Sequence, residues 1–425
     1  MSSSVRSSLA QYAEDTSTIP KKWSPYRYAI YFAMFFMGVV SYSDRAVLSA
    51  AMPDIVREFK IGPVTAGWLM SSFLWSYFLL HIPSAFLVSR WGSRRIGAWA
   101  VALWSLALMT ISYAATLPQL FLTRILLGAC ESPCFTLGLK SIRNWAPPSE
   151  HGLAMTIGKA GVPMGLALGA LLGGELVSSR GWRIAFLVIG ACGLAWSIIW
   201  RIIFRDAPGR ESASSEKELA ADWPLIGRAL RSPTFWMMIA QQCAGAYATF
   251  LFLSWMPLFY VYHFNLSTEV ASLYFGLSYI VATPLSALAS AAFKAWGADR
   301  ATHSGGRRVF ILILSLLSTS IVLIPYCTNA IIAALVAGVG MALIIASLGE
   351  NTALFTDFDQ RGDSVTQLYA IALTCSGATG IAAPAITGYL VANGQNFQMA
   401  FILAAFFLVL GALALFCAPA PGHDT

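Results

Sequence analysis

The sequence predicts an all-α membrane protein with twelve transmembrane helices in two six-helix bundles. Of its 425 residues, 57% are hydrophobic and only 11% are charged, whereas charged residues make up about 25% of a soluble domain. The hydrophobic residues form long runs, and one long polar segment interrupts them near the middle of the chain. A soluble fold cannot cover this much apolar surface, because its outside must remain wettable.

Twelve apolar stretches account for most of the chain, and each has close to, or more than, the roughly 20 residues that cross a bilayer as a helix. The stretches are too long and too apolar for membrane-barrel strands, which alternate over about ten residues. The predicted spans are 27–53, 65–89, 96–115, 118–144, 152–178, 183–204, 234–262, 270–295, 308–326, 329–354, 364–392 and 397–417.

These spans divide the chain into five segments. A tail, 1–26, precedes a first bundle, 27–204. A central linker, 205–233, leads to a second bundle, 234–417, and a short tail, 418–425. Two six-helix bundles related along the membrane normal, with a substrate site between them near the midplane, are a recurring plan of transporters.

Basic residues predict the orientation of the spans. Lysine and arginine concentrate in the first tail, in the loop after the second span, in the linker and in the loop after the eighth span. Since such residues favour the cytoplasmic side, both termini are expected there. The first tail lacks an apolar core before a cleavage site, so no removable signal peptide is expected. The net charge of +7 is spread between spans, which argues against a nucleic-acid partner.

A weak internal repeat supports the division into two halves. The loop after the second span of the first half carries Arg90 and Arg94, and the corresponding loop of the second half carries Asp299 and Arg300. We expect these two loops to take part in gating.

Five ionisable residues lie inside predicted spans, where a charge is costly and points to function. They are Asp44, Arg45, Arg124, Glu131 and Lys159. The three cations are expected to face a central cavity that selects anions, and an arginine fork suits a carboxylate. The two carboxyl groups are candidates for proton binding, because burial favours their neutral form and a nearby arginine favours the charged form.

Each of these residues also has a structural interpretation. Asp44 and Arg45 are neighbours that could form an ion pair at a helix end. Arg124 and Glu131 are seven residues apart on one helix face and could form an internal bridge. Lys159 could extend to the membrane surface or pair with a carboxylate.

Polar and aromatic residues next to these charges are further candidates. Tyr42 and Tyr77 each lie beside the charged or polar positions, where a hydroxyl could bond a substrate. His81 is either a packed side chain or a proton relay. The spans of the second half carry almost no charge, so this half is expected to supply neutral contacts. Its weaker candidates are Gln241, Gln242, Trp255 and Tyr369.

Enzyme chemistry is not indicated. The sequence shows no nucleophile–base pair, phosphate-binding glycine loop or cysteine–histidine metal spacing, and its seven cysteines read as small buried hydrophobic residues. The expectation is therefore a protein that is not an enzyme and has no cofactor or metal, with the proton as its coupling ion.

The motifs of the first half resemble a known family. Tyr42-Ser43-Asp44-Arg45, Trp75-Ser76-Tyr77, Arg124-Ile125-Leu126-Leu127-Gly128 with Glu131-Ser132-Pro133, and Gly181-Trp182-Arg183 are similar to the anion:cation symporter family of the major facilitator superfamily. The likeness covers nearly all of residues 27–208 and is thinner over 234–417, where Trp255-Met256-Pro257 and Gly297-Ala298-Asp299-Arg300 carry it.

This resemblance implies proton-coupled uptake of an organic anion, often a sugar acid, by a monomer in a bacterial inner membrane. It also implies that Asp44 and Glu131 carry protons and that Arg45, Arg124, Tyr42 and Tyr77 line the substrate site. An exchanger of two carboxylates without proton coupling is the alternative. A membrane-bound enzyme or ligand sensor is disfavoured, because no catalytic motif and no appended soluble domain occur.

The chain departs from the family pattern at several positions. Ala85 and Ser89 stand where the loop motif usually has glycine and aspartate, and His81 stands where a glutamine is common. Lys159 replaces a frequent asparagine. If Lys159 faces the cavity, a third fixed cation favours a dianion, or a monoanion with a different polar arrangement.

Overall fold

The computed structural model describes residues 25–146, 150–206, 223–295, 303–358, 365–392 and 397–419. Within these ranges the regular structure is helical, and the helices line up as twelve rods that match the predicted spans in order. This arrangement confirms the predicted all-α fold of twelve transmembrane helices.

The first six rods contain nine α-helices. Rod 1 is a single long helix, rods 2 and 4 are each broken into two helices, and rod 5 contains a π-helical turn. Their bounds are α1 Tyr26–Phe59, α2 Pro63–Leu79, α3 His81–Trp91, α4 Ser93–Ile111, α5 Leu117–Glu131, α6 Cys134–Trp145, α7 His151–Leu168, the π turn Gly169–Gly173, α8 Gly174–Arg180 and α9 Trp182–Ile203.

The last six rods follow a short helix that lies inside the predicted linker. Rod 9 ends in a 3₁₀ segment that contains Pro325. The bounds are α10 Trp223–Arg231, α11 Pro233–Phe264, α12 Thr268–Ala295, α13 His303–Ser318, the 3₁₀ segment Thr319–Tyr326, α14 Ala330–Phe358, α15 Val365–Ala392 and α16 Gln398–Phe416. The linker boundaries of 205 and 233 stay a prediction, since residues 207–222 lie outside the described ranges.

The breaks within rods have local causes. Pro133 separates α5 from α6, because proline cannot donate the backbone hydrogen bond that would continue a helix. By length and composition alone, nine helices in the described part of the chain could cross a membrane, beginning with Leu117–Ile142. The first three rods are not among them. Rod 1 carries Asp44 and Arg45, and rod 2 is divided at Leu80.

A row of glycines lets α1 and α7 approach each other closely. A methyl group on Gly161 would lie 2.1 Å from the carbonyl oxygen of Phe35, and one on Gly165 would lie 2.5 Å from that of Val39. Only glycine fits between two backbones at this separation. The contact fixes the middle of α1, which carries the charged pair predicted for the site.

The two halves pack together most closely through α1 with α11, α2 with α15, and rod 5 with α12. At one point Gly67 meets the backbone of Pro384, and nearby Gly388 meets the backbone of Pro63. Both contacts lie where α2 begins and α15 ends, which is the end of the molecule where α1 also ends. The halves are therefore sealed at the end opposite to the start of α1.

Candidate functional site

A buried ion pair joins α1 to α5 in the middle of the first half. Nη2 of Arg45 lies 2.7 Å from Oε1 of Glu131. The side chains are 7% and 0% exposed. The hydroxyl of Ser41 donates a hydrogen bond to the same carboxylate oxygen. The pair places one of the two predicted proton carriers directly against one of the predicted substrate-binding arginines.

Aromatic rings surround the same arginine. The guanidinium carbon of Arg45 lies 4.4 Å from the ring centre of Tyr42, 4.7 Å from that of Phe73 and 5.2 Å from that of Tyr77. A cation over an aromatic face is attracted by the ring's electrons, and the attraction is larger away from water. The rings thus hold Arg45 in place on the sides that Glu131 does not cover.

Arg124 is a second buried cation near this pair, and no carboxylate of a described residue forms an ion pair with it. Its side chain is 2% exposed and lies 5.1 Å from the ring centre of Phe73. Its Nε and Nη1 atoms have no hydrogen-bond partner among the described residues. A buried charge without partners is unfavourable. A carboxylate that reached this guanidinium would be strongly stabilised.

Asp44 is fully buried beside these groups. Neither of its carboxylate oxygens accepts a hydrogen bond from a described side chain, and the Oε2 atom of Glu131 is likewise without a partner in the described part of the chain. The cluster therefore holds two arginines, Arg45 and Arg124, and two carboxyl groups, Asp44 and Glu131, and the close ion pair described within it is Arg45–Glu131. A proton added to either carboxyl group would change the balance of charge around Arg124.

The observed pair differs from the two ion pairs that the sequence left open as alternatives. Glu131 pairs with Arg45 on another helix, and neither the Arg124–Glu131 bridge nor the Asp44–Arg45 pair forms among the described contacts. The sequence could place residues on helix faces, but it could not say which helix would lie opposite.

A small cavity opens between the arginines and the second half. Its volume is about 20 Å³, which accommodates little more than one water molecule. A sugar acid needs more room, so this conformation must widen before it can bind one here. The lining residues are Arg45, Leu48, Ser49, Met70, Phe73, Leu74, Arg124, Phe250, Leu253 and Ser254.

Several residues around the charged cluster and its cavity were not predicted. Ser41 precedes Arg45 by four residues, so helical spacing alone could have placed it on the same face. Phe250 and Ser254 are also four residues apart, on α11, but nothing in their sequence shows that α11 faces α1. Ser49 forms the direct link, because its hydroxyl donates to the carbonyl of Leu253 at 2.5 Å.

The weaker candidates of the second half lie in contacts between helices. Nε2 of Gln241 donates to the hydroxyls of Ser315 at 3.2 Å and Ser347 at 2.9 Å, which joins α11 to α13 and α14. The indole of Trp255 donates to the carbonyl of Pro384 at 3.1 Å. These bonds give both side chains a structural use, and a part in binding stays a prediction.

Gln242 and Tyr369 also form hydrogen bonds between helices. Gln242 accepts a hydrogen bond from Nδ2 of Asn351 at 3.3 Å, and the hydroxyl of Tyr369 bonds to that of Thr352 at 3.3 Å. Both contacts connect α14 to its neighbours, and neither residue lines the cavity of the two arginines.

Lys159 and His81 lie outside the charged cluster. Lys159 is exposed on α7 and forms no hydrogen bond or ion pair with a described residue. His81 begins α3, and its ring lies 5.4 Å from the ring of Tyr77 at an interplanar angle of 74°. His81 therefore packs against Tyr77, whose ring lies beside Arg45, whereas Lys159 does not reach the cluster.

The predicted gating loops are partly described. The guanidinium of Arg94 donates from Nε and Nη2 to the carbonyl of Arg201 at 3.1 and 3.0 Å, and its backbone N–H donates to Asp206 at 2.9 Å. Arg90 is exposed on α3. Asp299 and Arg300 lie outside the described residues. Gating by these loops stays a prediction.

No group of three or more His, Cys, Asp or Glu side chains placed to hold a metal ion occurs in the part of the chain that the structure describes.

Comparisons with known proteins agree with the fold. The profile of a family described as the Major Facilitator Superfamily matches residues 34–304. The chain is 26% identical to the probable galactarate/D-glucarate transporter GarP of Escherichia coli (strain K12), over 91% of this chain and 93% of that protein. It is 25% identical to the hexuronate transporter of Bacillus subtilis (strain 168), over 90% and 92%.

A solved structure shares the architecture. The crystal structure of a bacterial homologue of the human lysosomal transporter Spinster, in an inward-facing and occupied conformation, superposes with a TM-score of 0.74 and 19% identity. The match covers 92% of this chain and 96% of that one. At this identity the likeness supports the fold.

Proposed function

Since the chain belongs to the Major Facilitator Superfamily, and is thus a membrane transporter and not an enzyme, we propose that it imports an organic anion together with protons. The anion is a sugar acid or another carboxylate, and it crosses by alternating access between the two halves. The observation that carries the proposal is Arg124, a buried guanidinium beside the Arg45–Glu131 pair and the carboxyl group of Asp44. Among the described residues, neither Arg124 nor Asp44 has an ion-pair partner.

The charged cluster suggests how protons and substrate are linked. While Glu131 is charged, it occupies a hydrogen-bond donor of Arg45. A proton on Glu131 weakens that ion pair, so Arg45 becomes available to an incoming carboxylate next to Arg124. Proton binding therefore favours anion binding, and by linkage anion binding favours protonation to the same extent. This reciprocity is what a symporter requires.

The packing of the halves supports alternating access. The described seal lies at the end where α1 finishes, and the start of α1 lies at the opposite end. With cytoplasmic termini, as the basic loops predict, the sealed end is the outer one and the opposite end of the two halves faces the cytoplasm. The transport cycle then has two conformational steps, widening of the small cavity and opening of the seal.

The names of the relatives support the substrate class. Proteins named for galactarate, D-glucarate and hexuronate transport share about a quarter of their residues with this chain along nearly its whole length. Galactarate, D-glucarate and the hexuronates are all carboxylates that carry hydroxyl groups. The cavity offers cations for the carboxylate, and Ser254 contributes a hydroxyl group to the wall formed by the second half.

Exchange of two anions is the second candidate, and the closed Arg45–Glu131 pair is the observation that favours it. A carboxyl group held in a permanent ion pair would be a structural part and would not carry protons. The cations would still bind carboxylates, and transport would then need a counter-anion on the other side.

One experiment separates the two candidates. Purified protein in liposomes is given labelled sugar acids under an imposed inward proton gradient. Symport predicts uphill accumulation that a protonophore abolishes. It also predicts that Glu131→Gln loses this accumulation but still exchanges internal for external substrate. Uptake that ignores the protonophore and requires internal anion would establish the exchanger and refute proton coupling.

A further inference from the structure

Lys159 is a cation inside a membrane-spanning segment that the charged cluster does not use. It is exposed on α7 and has no hydrogen-bond or ion-pair partner among the described residues. The nearest acidic residue before it on rod 5, Glu150, already pairs with Arg27 at 2.5 Å. A lysine in this position is unfavourable unless it meets water or an anion.

The neighbours of α7 show which way Lys159 points. Gly158 and Gly161 face α1 through Gly38, and at 100° per residue Lys159 is turned well away from that contact. Ala170 follows Lys159 by eleven residues, about three helical turns, so the two share a face. Ala170 packs against Gly276 of α12. Lys159 therefore points toward the second half.

The two helices separate at the level of Lys159. Gly276 is buried where it meets rod 5, but Thr283 and Ala287, which lie seven and eleven residues further along the same face of α12, are exposed. Since α12 runs antiparallel to α7, Ala287 is level with Lys159. The side chain thus lies on the wall of a cleft between the halves, on the side opposite to the seal.

The depth of Lys159 sets it apart from the arginine cavity. Gly38 is level with Gly158 and Gly161, and Arg45 lies seven residues further along α1. At about 1.5 Å per residue this is an offset of about 10 Å along the membrane normal. A single carboxylate cannot touch both cations, whereas an elongated acid with a charge at each end can approach both, since the lysine stem is long and flexible.

When the cleft closes, the charge of Lys159 is buried without an acidic partner on the facing surface of the described part of α12. The facing surface of α12 offers Thr283 and Ala287, and the acidic residue of that helix, Glu269, is in its first turn at the far end. When α7 and α12 approach during the cycle, the ammonium loses water without gaining a carboxylate from the described part of α12. A second carboxylate on the substrate would compensate it.

We propose that Lys159 is a second carboxylate-binding point on the cleft wall, and that it makes dicarboxylates the preferred substrates of this chain. The proposal rests on the function proposed above. It assigns the first carboxylate to Arg124 and Arg45 and the second to Lys159.

The test compares two acids that differ at one end. Galactarate has a carboxylate where galactonate has a hydroxymethyl group, and both have the same carbon skeleton. Wild-type protein in liposomes should take up galactarate at low concentration at least tenfold more efficiently than galactonate. Lys159→Gln should remove this preference by slowing galactarate uptake about tenfold, with galactonate uptake changed less than twofold. Lys159→Arg should retain the preference.

Met164→Gln is the matched control, since Met164 is also exposed on α7 but points about 140° away from Lys159 around the helix axis. This substitution should leave the uptake of both acids unchanged. If Lys159→Gln changes neither acid, Lys159 faces lipid headgroups and the proposal is wrong. Equal use of both acids by the wild type also overturns it. If the wild type transports neither acid, the transport function fails, and calorimetric titration of galactarate into purified wild type and Lys159→Gln then decides: equal binding, or none, refutes the second site.

Discussion

Replacing Glu131 by glutamine removes one charge from a buried pair and leaves the shape of the side chain almost unchanged. Arg45 keeps a neutral acceptor within reach, but its own charge is then buried without an adjacent anion. Breaking a buried pair by removing one partner costs about 3–5 kcal/mol. The side chains of Arg45 and Glu131 are 7% and 0% exposed, so water does not compensate, and Glu131→Gln should lose about that much stability.

Asp44→Asn is the informative comparison. Asp44 is as deeply buried as Glu131, but its oxygens accept no hydrogen bond from a described side chain. The Asp44→Asn substitution removes a longer-range attraction between the carboxylate and the arginines, which lowers stability. It also removes the cost of burying a charge that has no bonded partner among the described side chains, which raises stability. The two effects oppose each other. We expect a difference of about 3 kcal/mol between the two variants, or about a hundredfold in the unfolding equilibrium.

Equilibrium unfolding of the purified protein in mixed detergent micelles, followed by tryptophan fluorescence, measures this difference. The double variant Arg45→Gln with Glu131→Gln should recover part of the loss, because no unpaired charge remains at the pair. An Asp44→Asn variant as unstable as Glu131→Gln would refute the reasoning, and so would a Glu131→Gln variant with wild-type stability.

Three further outcomes are expected. Arg124→Lys should weaken binding of a sugar acid at least about tenfold in calorimetric titration, since an ammonium cannot form two parallel hydrogen bonds with a carboxylate; unchanged affinity would exclude the arginine clamp. Gly161→Ala should destabilise the protein by about 1–3 kcal/mol, because the added methyl group would lie 2.1 Å from the carbonyl oxygen of Phe35. Gly62→Ala, with open space around it, should change unfolding little, and equal effects of the two would count against the tight contact. Trp255→Phe should lower the free energy of unfolding by about 1 kcal/mol, since one hydrogen bond is lost, and should leave uptake intact. A loss of uptake would indicate that Trp255 contributes to the substrate site.

The fold could be predicted from the sequence because a bilayer leaves few choices. Long apolar runs must be helices, since lipid offers no partner to an open backbone, and the order of the rods follows the order of the runs. The break at Pro133 could also be anticipated. The π turn Gly169–Gly173 could not, because its glycines are as compatible with a regular helix end as with a widened turn.

The residues of the charged cluster could also be predicted, but their pairing could not. A charge inside an apolar run is conspicuous, so Asp44, Arg45, Arg124 and Glu131 were all identified. Which arginine pairs with which carboxylate depends on how each helix is rotated about its axis and on which helix packs against it. A single sequence reveals neither the rotation nor the packing partner. The same limit applies to Ser254, which is unremarkable until α11 is seen opposite α1.

The seal between the halves at Gly67 and Gly388 has a consequence for turnover. At these positions the halves meet backbone to backbone, and beside them the indole of Trp68 donates one long hydrogen bond to the hydroxyl of Tyr389 at 3.5 Å. Parting them breaks mainly dispersion contacts, each of which is weak, so the barrier to opening grows gradually with separation and no single bond dominates it. Gates built in this way are expected to open at rates that depend weakly on pH and ionic strength, which leaves control of the cycle to the charges at its centre.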